Sequence, residues 1–485
     1  MIAFRNLSTP SQGRTLLLAL NVAIPIAVVF GYSPAIGIAL AASVVAIIAF
    51  IRVPLAVLLF AQLSVAVSFD LIKPLNAHGP AIAQQVRVLL IAALLPMLIA
   101  RGFRNRQIPL PIVAYGSVFV FTFTLSRKYE DLSIKTSFIN LLVLCLPWIA
   151  SQINWRSGEA KKALLAIALV APLSVAIGFP LELAGLHRFY PAEFTGVHRL
   201  RGATEAAFLA LIGTGGVAAG AALDRLGWRR RGSVLIVANF IIVGLTATRG
   251  GLIACIIILM PYTRRLIRNA RSPEMRTLSL IGVIGVIGVA VAIYLPPLLE
   301  RTNSSSKAAT TISADDAATS GRSEAWKYFI SQARGSQNFG RGLGSSPLIG
   351  EAAKDQLPGD FRAPHNEYIR TYLETGYFGT FLIFGAIAIY VVQLVRWTRP
   401  YFRPDLIALL LAFFIYALTD NPMSGQHLAL PFGLIIGIYA SLRIPGSARP
   451  GSDWGPAAVA FNPALRGKRI GTTAVDPLAH AGVDL

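Results

Sequence analysis

Fourteen stretches of this chain are apolar for close to the length of a membrane helix, and that constrains its fold more than any single motif. They are 15–30, 35–50, 54–69, 83–100, 110–125, 136–149, 163–183, 204–223, 232–246, 252–267, 278–295, 377–395, 405–418 and 429–442. A membrane helix needs about 20 mostly apolar residues, so the shorter runs borrow flanking residues. Hydrophobic residues make up 54% of the 485, and charged ones only 14%; an ordinary soluble domain carries roughly 25%. Most connections between runs are short. The pattern predicts an all-α, polytopic helical bundle of about fourteen spans, with twelve as the lower count. The first run is followed at once by another span, with no small-residue cleavage site, so it reads as a span and not a cleavable signal.

The formal charge is +21. In a soluble chain this suggests nucleic acid; in a membrane chain it is an orientation signal. Placing the N-terminus in the cytoplasm makes every second connection basic. Those segments and the tail hold 26 of the 44 basic residues and 7 of the 23 acidic ones, a net +19, leaving +2 for the remainder. Both termini are therefore predicted to be cytoplasmic, and nucleic acid is not an expected partner. Cys145 and Cys255 lie inside apolar runs and suggest neither a disulfide framework nor a zinc site.

The predicted organisation is spans 1–11 over 1–295, a long outer loop at 296–364, spans 12–14 over 365–444, and a Pro-, Gly- and Arg-rich disordered tail over 445–485. Long loops between spans often carry function. Within this one, 302–320 is Ser/Thr/Ala-rich. Residues 323–331 suit a helix with Trp326 and Phe329 on one face, lying against the membrane surface. The glycines of 213–220 fall inside a span, where close helix packing is the expected role.

The alternation places three helix N-termini on one outer face. One follows Arg199, Leu200, Arg201 and Gly202. The second follows Thr248, Arg249, Gly250 and Gly251, read as a tight turn. The third begins at Pro364, His365 and Asn366, with Pro364 in its first turn. Free N–H groups and a partial positive charge make a helix N-terminus favourable for an anion. Arginine adds a planar fork suited to phosphate. Outward arginines run against the charge trend, which singles out Arg199, Arg201 and Arg249; lipid headgroups or loop capping are their plainer roles. Imidazole titrates ordinarily near 6.5, so His365 suits proton transfer at neutral pH. His187, His198 and His427 share that side. Asp70, Glu182, Glu205 and Asp420 sit at outer span ends, where they pair with arginines or orient sugar hydroxyls. The run from Gly340 to Gly344 looks like a phosphate loop but follows no strand. No acidic or histidine cluster has metal spacing.

From His365 and Asn366 through Glu374, Gly376 and Gly379, the sequence resembles the signature of the O-antigen ligase and Wzy-type polymerase superfamily. That signature is His-Asn, then roughly Leu-x-Glu-x-Gly-x-x-Gly. Arg249 with Gly250 resembles the family's Arg-Gly element. Gly321, Arg322 and Trp326, then Phe339, Gly340, Gly342 and Gly344, resemble the stretch before its histidine. The likeness covers about 199–381. One element departs: no Pro-Asn pair follows Arg199 to Gly202, which leaves open whether Arg199 or Arg201 is the family arginine.

The resemblance implies a glycosyltransferase-C-like membrane enzyme of the bacterial inner membrane, working at the periplasmic face. It implies metal-independent, inverting transfer without a cofactor. The donor would be a glycan on a polyprenyl diphosphate and the acceptor a glycan or lipid, with membrane lipids and a chain-length regulator as further partners. His365 would be the catalytic residue that activates the acceptor hydroxyl. Arg249, Arg199 or Arg201, and Arg322 would hold the diphosphate, and Asn366, Glu374, Gly376 and Gly379 would support the site. Polymerisation of repeat units into exopolysaccharide or O-antigen is the expected reaction. Ligase transfer to lipid A-core or protein is the close alternative, and a transporter or flippase the remote one.

Overall fold

The computed structural model describes residues 54–68, 94, 109–125, 141, 144–153, 155–191, 198–270, 272–274, 276–277, 281, 285, 288, 322–353, 363–423 and 426–441. The chain divides into two units, Met1–Ile444 and Pro445–Leu485, and all the described residues belong to the first. The described helices are α1 (Pro54–Ser64), α2 (Leu110–Leu125), α3 (Ser157–Leu183), α4 (Ala206–Arg225), α5 (Arg229–Leu245), α6 (Arg249–Asn269), α7 (Arg322–Gln332), α8 (Ser345–Ala352), α9 (Glu367–Trp397), α10 (Arg403–Tyr416) and α11 (Gln426–Ser441). Residues 144–152 are also helical, and no strand occurs among the described residues. The predicted runs at 54–69, 110–125, 163–183, 204–223, 232–246, 252–267, 377–395, 405–418 and 429–442 all fall on these helices. The runs at 15–30, 35–50 and 278–295, most of 83–100, residues 302–320, Asp70 and the tail lie outside the described residues, or nearly so. Four helices, those over 158–183, 206–225, 249–269 and 367–397, are long and apolar enough to cross a membrane. The chain is a multi-pass membrane protein with an all-helical fold.

α4 is the central helix because its residues are small. It packs on α3, α5, α6 and α11 and is buried from Leu209 to Leu223. Gly213, Gly216 and Gly220 form one face against α5. A Cβ on them would sit 2.7 Å from Val243, 2.1 Å from Asn239 and 2.9 Å from Ile236 respectively. Asn239 uses this close approach. Its amide donates at 2.8 Å to Ala168 O of α3 and at 2.8 Å to Leu235 O. The glycines thus serve helix packing, as their place in a span predicts.

One end of the bundle is closed by buried charge. Arg225 at the C-terminus of α4 pairs with Asp405 in the first turn of α10. Arg265 of α6 pairs with Asp224 and lies 4.0 Å from Asp405. The Arg225 guanidinium also lies over the Tyr401 ring, 4.4 Å from its centroid. Removing one partner of such a buried pair leaves an uncompensated charge, so the group fixes three helix ends together. From Arg265 back to Arg249 is about 24 Å along α6; the opposite end of the bundle begins there.

Helix lengths force a bend in α9. Its 31 residues would span about 45 Å unbroken, while the neighbouring α10 spans about 21 Å. Yet the two are tied at both ends. Arg403 Nε donates to Thr398 O at 2.8 Å, and Glu367 N donates to Ala417 O at 2.9 Å. The helix turns at Gly376, with φ 67° and ψ −171°.

The backbone groups freed by that turn are taken up by residues 337–342. Arg341 N and Gly342 N donate to Leu373 O and Glu374 O at 2.8 and 2.9 Å. Tyr377 N and Phe378 N donate to Gln337 O and Asn338 O at 2.7 and 3.2 Å. Two glycines permit the crossing. A Cβ on Gly376 would lie 2.4 Å from the Asn338 carbonyl, and one on Gly340 2.4 Å from that of Glu374. Both have left-handed φ. Gly376→Ala is therefore expected to lower the melting temperature of detergent-solubilised protein by several degrees. Holding a non-glycine residue at this positive φ with extended ψ costs roughly 1–3 kcal/mol by itself, and the backbone contact adds to it. Wild-type melting of this variant would contradict the crossing.

Candidate functional site

At the end opposite the ion cluster, three consecutive residues zip onto the turn after α10. His365 Nδ1 lies 3.1 Å from Asp420 Oδ1. Asn366 Nδ2 donates to Leu418 O at 3.0 Å. Glu367 N donates to Ala417 O, and Glu367 Oε2 accepts from Met423 N at 3.1 Å. α7 clamps both sides of this junction. Trp326 Nε1 donates to Pro364 O at 2.7 Å, and one Nη of Arg322 donates to Thr419 O. Phe329 of α7, fully buried, packs with Leu373 of α9. The predicted helix in the long loop is real, but its apolar face covers the start of α9. It begins at Arg322.

His365 has φ 46° and Ala247 φ 49°; these are the non-glycine residues with positive φ among the described residues. Such conformations persist where the surroundings impose them, and they cluster at functional sites. Here the imposing contacts are the junction bonds just named. Asn366 completes them as N-cap of α9, its Oδ1 accepting from Tyr368 N and Ile369 N at 3.0 and 3.1 Å. This corrects two expectations. Pro364 lies two residues before the cap and not in the first helical turn. The N-terminus of α9 is also filled by its own side chain, so two helix N-termini, not three, stay uncapped by a side chain at this end: those of α4 and α6.

Asp420 is held by several donors. Asn421 N donates to Oδ1 at 2.8 Å, and Tyr416 Oη to Oδ2 at 3.4 Å. Burial works against its charge. The His365 hydrogen bond and charge, the Asn421 N–H and nearby Arg322 outweigh it and hold the carboxyl below its ordinary range. The imidazole thus faces an ionised carboxylate at Nδ1, an arrangement that fixes the ring's orientation.

The arginines arrive from two sides. Arg199 Nε donates to Thr246 O at 2.7 Å and Nη2 to Thr248 Oγ1 at 2.8 Å, so Arg199 is built into the segment leading to Arg249. Arg249 is the first residue of α6 and no part of a free turn. A Cβ on the next residue, Gly250, would sit 2.9 Å from Thr419 Oγ1 and 3.1 Å from the Tyr416 ring. The start of α6 therefore abuts the Asp420 turn. Arg199 and Arg322 both act electrostatically on the Tyr416 phenol. Arg201 sits apart from that contact. Its backbone N–H donates to Phe189 O at 2.9 Å, and its buried Nε meets no hydrogen-bond acceptor among the described residues. Gly202 next to it has φ 62° and crosses α3 at Gly178, whose Cβ would lie 2.1 Å from the Gly202 carbonyl carbon.

Glu374 and Gly376 act at a distance from the histidine. Arg370 Nη1 donates to Glu374 Oε2 at 3.0 Å and Nε to Glu367 Oε1 at 2.9 Å, all three side chains being buried. The backbone of Gly344 and Ser346, at the N-terminus of α8, also faces the Glu374 carboxylate. The 340–344 glycine run thus does serve an anion, but that anion is the chain's own Glu374. Gly379 is needed for packing, since its Cβ would meet Thr375 at 2.4 Å. Sequence reasoning left out the Asp420 partnership, Tyr416 and Arg370. The Glu367, Arg370, Glu374 spacing of three and four was the available signal for the last.

Other predicted polar residues lie elsewhere. His198 Nδ1 is 3.1 Å from Tyr190 O and its ring stacks on Tyr190. Glu182 Oε2 accepts from Phe189 N at 2.7 Å. His187 is buried, and Glu205 is the exposed N-cap residue of α4. The side chain of His427 lies outside the described residues. Among the described residues no three His, Cys, Asp or Glu groups converge as a metal-ligand set, and Cys145 and Cys255 are free thiols.

Taken together, a histidine–carboxylate pair and several arginines meet at one end of a membrane helix bundle. Residues 233–384 match the family model Wzy_C, O-antigen ligase, a match consistent with the O-antigen ligase and Wzy superfamily. No curated protein matches the chain. The family implies glycan transfer of the ligase or polymerase type, from a lipid-linked donor to a glycan or lipid acceptor in a membrane. The matched stretch contains Arg249, Arg322, His365 and Glu374, and leaves out Arg199, Arg201 and Asp420.

The Asp420 carboxyl carries a stability prediction with a definite sign. Because its value is lowered in the folded protein, its contribution is present above the ordinary carboxylate range and is lost as pH falls through the lowered value. The melting-temperature gap between wild type and Asp420→Asn should be present at about pH 5 and close as pH falls below about 4. A gap that stays undiminished well below that range would contradict the assignment.

Proposed function

We propose that the protein polymerises polyprenyl-diphosphate-linked repeat units into exopolysaccharide or O-antigen by inverting transfer at the periplasmic face of the bacterial inner membrane. The observation that carries the mechanism is the His365–Asp420 pair beside the arginine-bearing start of α6. The acceptor hydroxyl oxygen attacks the anomeric carbon of the donor. Its proton passes to Nε2 of His365, whose Nδ1 is oriented by Asp420. The bond from the anomeric carbon to the phosphate oxygen breaks on the opposite face, which inverts the centre. The polyprenyl diphosphate leaves with the electron pair. Its developing charge is met by Arg249, by Arg322, by Arg199 or Arg201, and by the uncapped N–H groups of α6. Preorganised cations of this kind supply the stabilisation that a metal supplies in other transferases.

The site's orientation follows from the charge asymmetry of the connections, with fourteen spans, both termini and the 445–485 tail in the cytoplasm, and the 296–364 loop outside. A chain-length regulator is a further proposed partner. Ligase transfer to lipid A-core or protein is the second reading, favoured by the match of residues 233–384 to the O-antigen ligase family. The turn in α9 gives no support to transport, because the backbone groups it frees are bonded to residues 337–342 and do not line a path.

His365→Ala, expressed in cells lacking the native protein, should remove polymerised glycan from a polysaccharide gel. General base loss typically costs 10²–10⁴-fold, so roughly a hundredfold loss or more is expected. Single repeat units still attached to acceptor would mark a polymerase, and long chains stranded on the lipid carrier a ligase. Chains of wild-type length and abundance would overturn the catalytic role of His365.

A further inference from the structure

We propose that Arg370 is a positioning residue for His365, acting through Glu367 on the turn that carries Asp420; this rests on the reading of His365 given above. Arg370 touches neither His365 nor Asp420. Its guanidinium is shared between Glu367, three residues back, and Glu374, four residues on. Side-chain exposure is 5% for Arg370, 1% for Glu367 and 0% for Glu374. Two carboxylates share one cation in a space with little water, so the placement of Glu367 depends on Arg370.

The second oxygen of Glu367 is where that dependence reaches the site. Oε1 is committed to Arg370, and Oε2 accepts from Met423 N at 3.1 Å. Met423 lies three residues beyond Asp420 in the same turn. Glu367 lies two residues beyond His365. The carboxylate therefore spans the two segments whose register decides whether His365 Nδ1 meets Asp420 Oδ1. Without Arg370 the Glu367 side chain loses the bond that fixes its Oε1, and with it the rotamer that presents Oε2 to Met423 N. The turn then loses one of its bonds to α9, and the imposed φ of 46° at His365 loses one of its restraints.

The other end of the triad is fixed to rigid structure. Glu374 O accepts from Gly342 N, and the N-terminus of α8 faces the Glu374 side chain. Arg370 thus connects the glycine crossing at Gly340 and Gly376 to the histidine turn. Glu374 and its glycines, about two helical turns from His365, have through Arg370 a physical route to the chemistry.

The test is a double-mutant cycle on purified protein, using lipid-linked glycan extracted from cells that lack the protein as donor. Arg370→Met should lower kcat at least about tenfold with donor KM within about twofold, since Arg370 does not touch the donor. The Arg370→Met, Asp420→Asn double variant should turn over no more slowly than Asp420→Asn alone, because both changes break one pair. Wild-type kcat in Arg370→Met, or losses that multiply in the double variant, would overturn the proposal. If Arg370→Met does not reach the membrane, Arg370→Lys replaces it, keeping the charge but losing the two-sided hold, with the same two outcomes. Wild-type kcat in both Asp420→Asn and His365→Ala would instead remove the catalytic reading itself.

Discussion

The whole arrangement depends on residues 365–367 bonding, one after another, to the turn at 417–423. Each uses a different group: the imidazole of His365, the amide of Asn366, and both the backbone and the carboxylate of Glu367. This zip fixes where α9 begins and sets the ring of the histidine against a carboxylate. It also holds a non-glycine residue in a left-handed conformation, which nothing local would favour. Trp326 and Arg322 of α7 seal it from the side of the long loop, so that loop helps build the site.

What delivers the two halves of the zip is the packing of the bundle beneath. The glycine face of α4 lets α5 close in, and α5 leads directly into Thr246, Ala247, Thr248 and Arg249. The Asp224, Arg225, Arg265 and Asp405 group ties α4, α6 and α10 at the far end. With those ends fixed, helix length decides what arrives at the near end: Arg249 from α6 and Asp420 after α10. α9 is too long for the same distance and turns at Gly376, a turn that residues 337–342 make possible by bonding its freed backbone. Glycine, ion pair and helix length together place charge and histidine within reach of each other.

Much of this was legible in the sequence. The apolar runs marked the described helices, because membrane helices are set by composition over about 20 residues. His365, Arg249 and Arg199 were legible as a shared end, because alternation of spans fixes which ends are neighbours. The Asp420–His365 pairing was not, since they are 55 residues apart and their contact depends on the bend in α9. The bend was hidden for the same reason: Gly376 reads as a motif residue, while its left-handed φ follows from the backbone crossing at Gly340. The glycine run at 340–344 looked like a phosphate loop because the local chemistry is that of an anion site; only the fold shows that Glu374 fills it. The capped state of α9 is written in Asn366, a residue type favoured at that position.

The central claim is that the arginines at the start of α6 and the imidazole of His365 serve one substrate from two sides. The most direct measurement is an electron cryo-microscopy structure of the protein in a lipid nanodisc with a non-transferable analogue of a polyprenyl-diphosphate-linked sugar. The account predicts density for the diphosphate against Arg249 and the start of α6, with His365 Nε2 turned toward the acceptor side at hydrogen-bonding reach, about 3 Å, of a sugar hydroxyl or its water. A diphosphate bound elsewhere in the bundle, with Arg249 and His365 facing only each other or solvent, would contradict it.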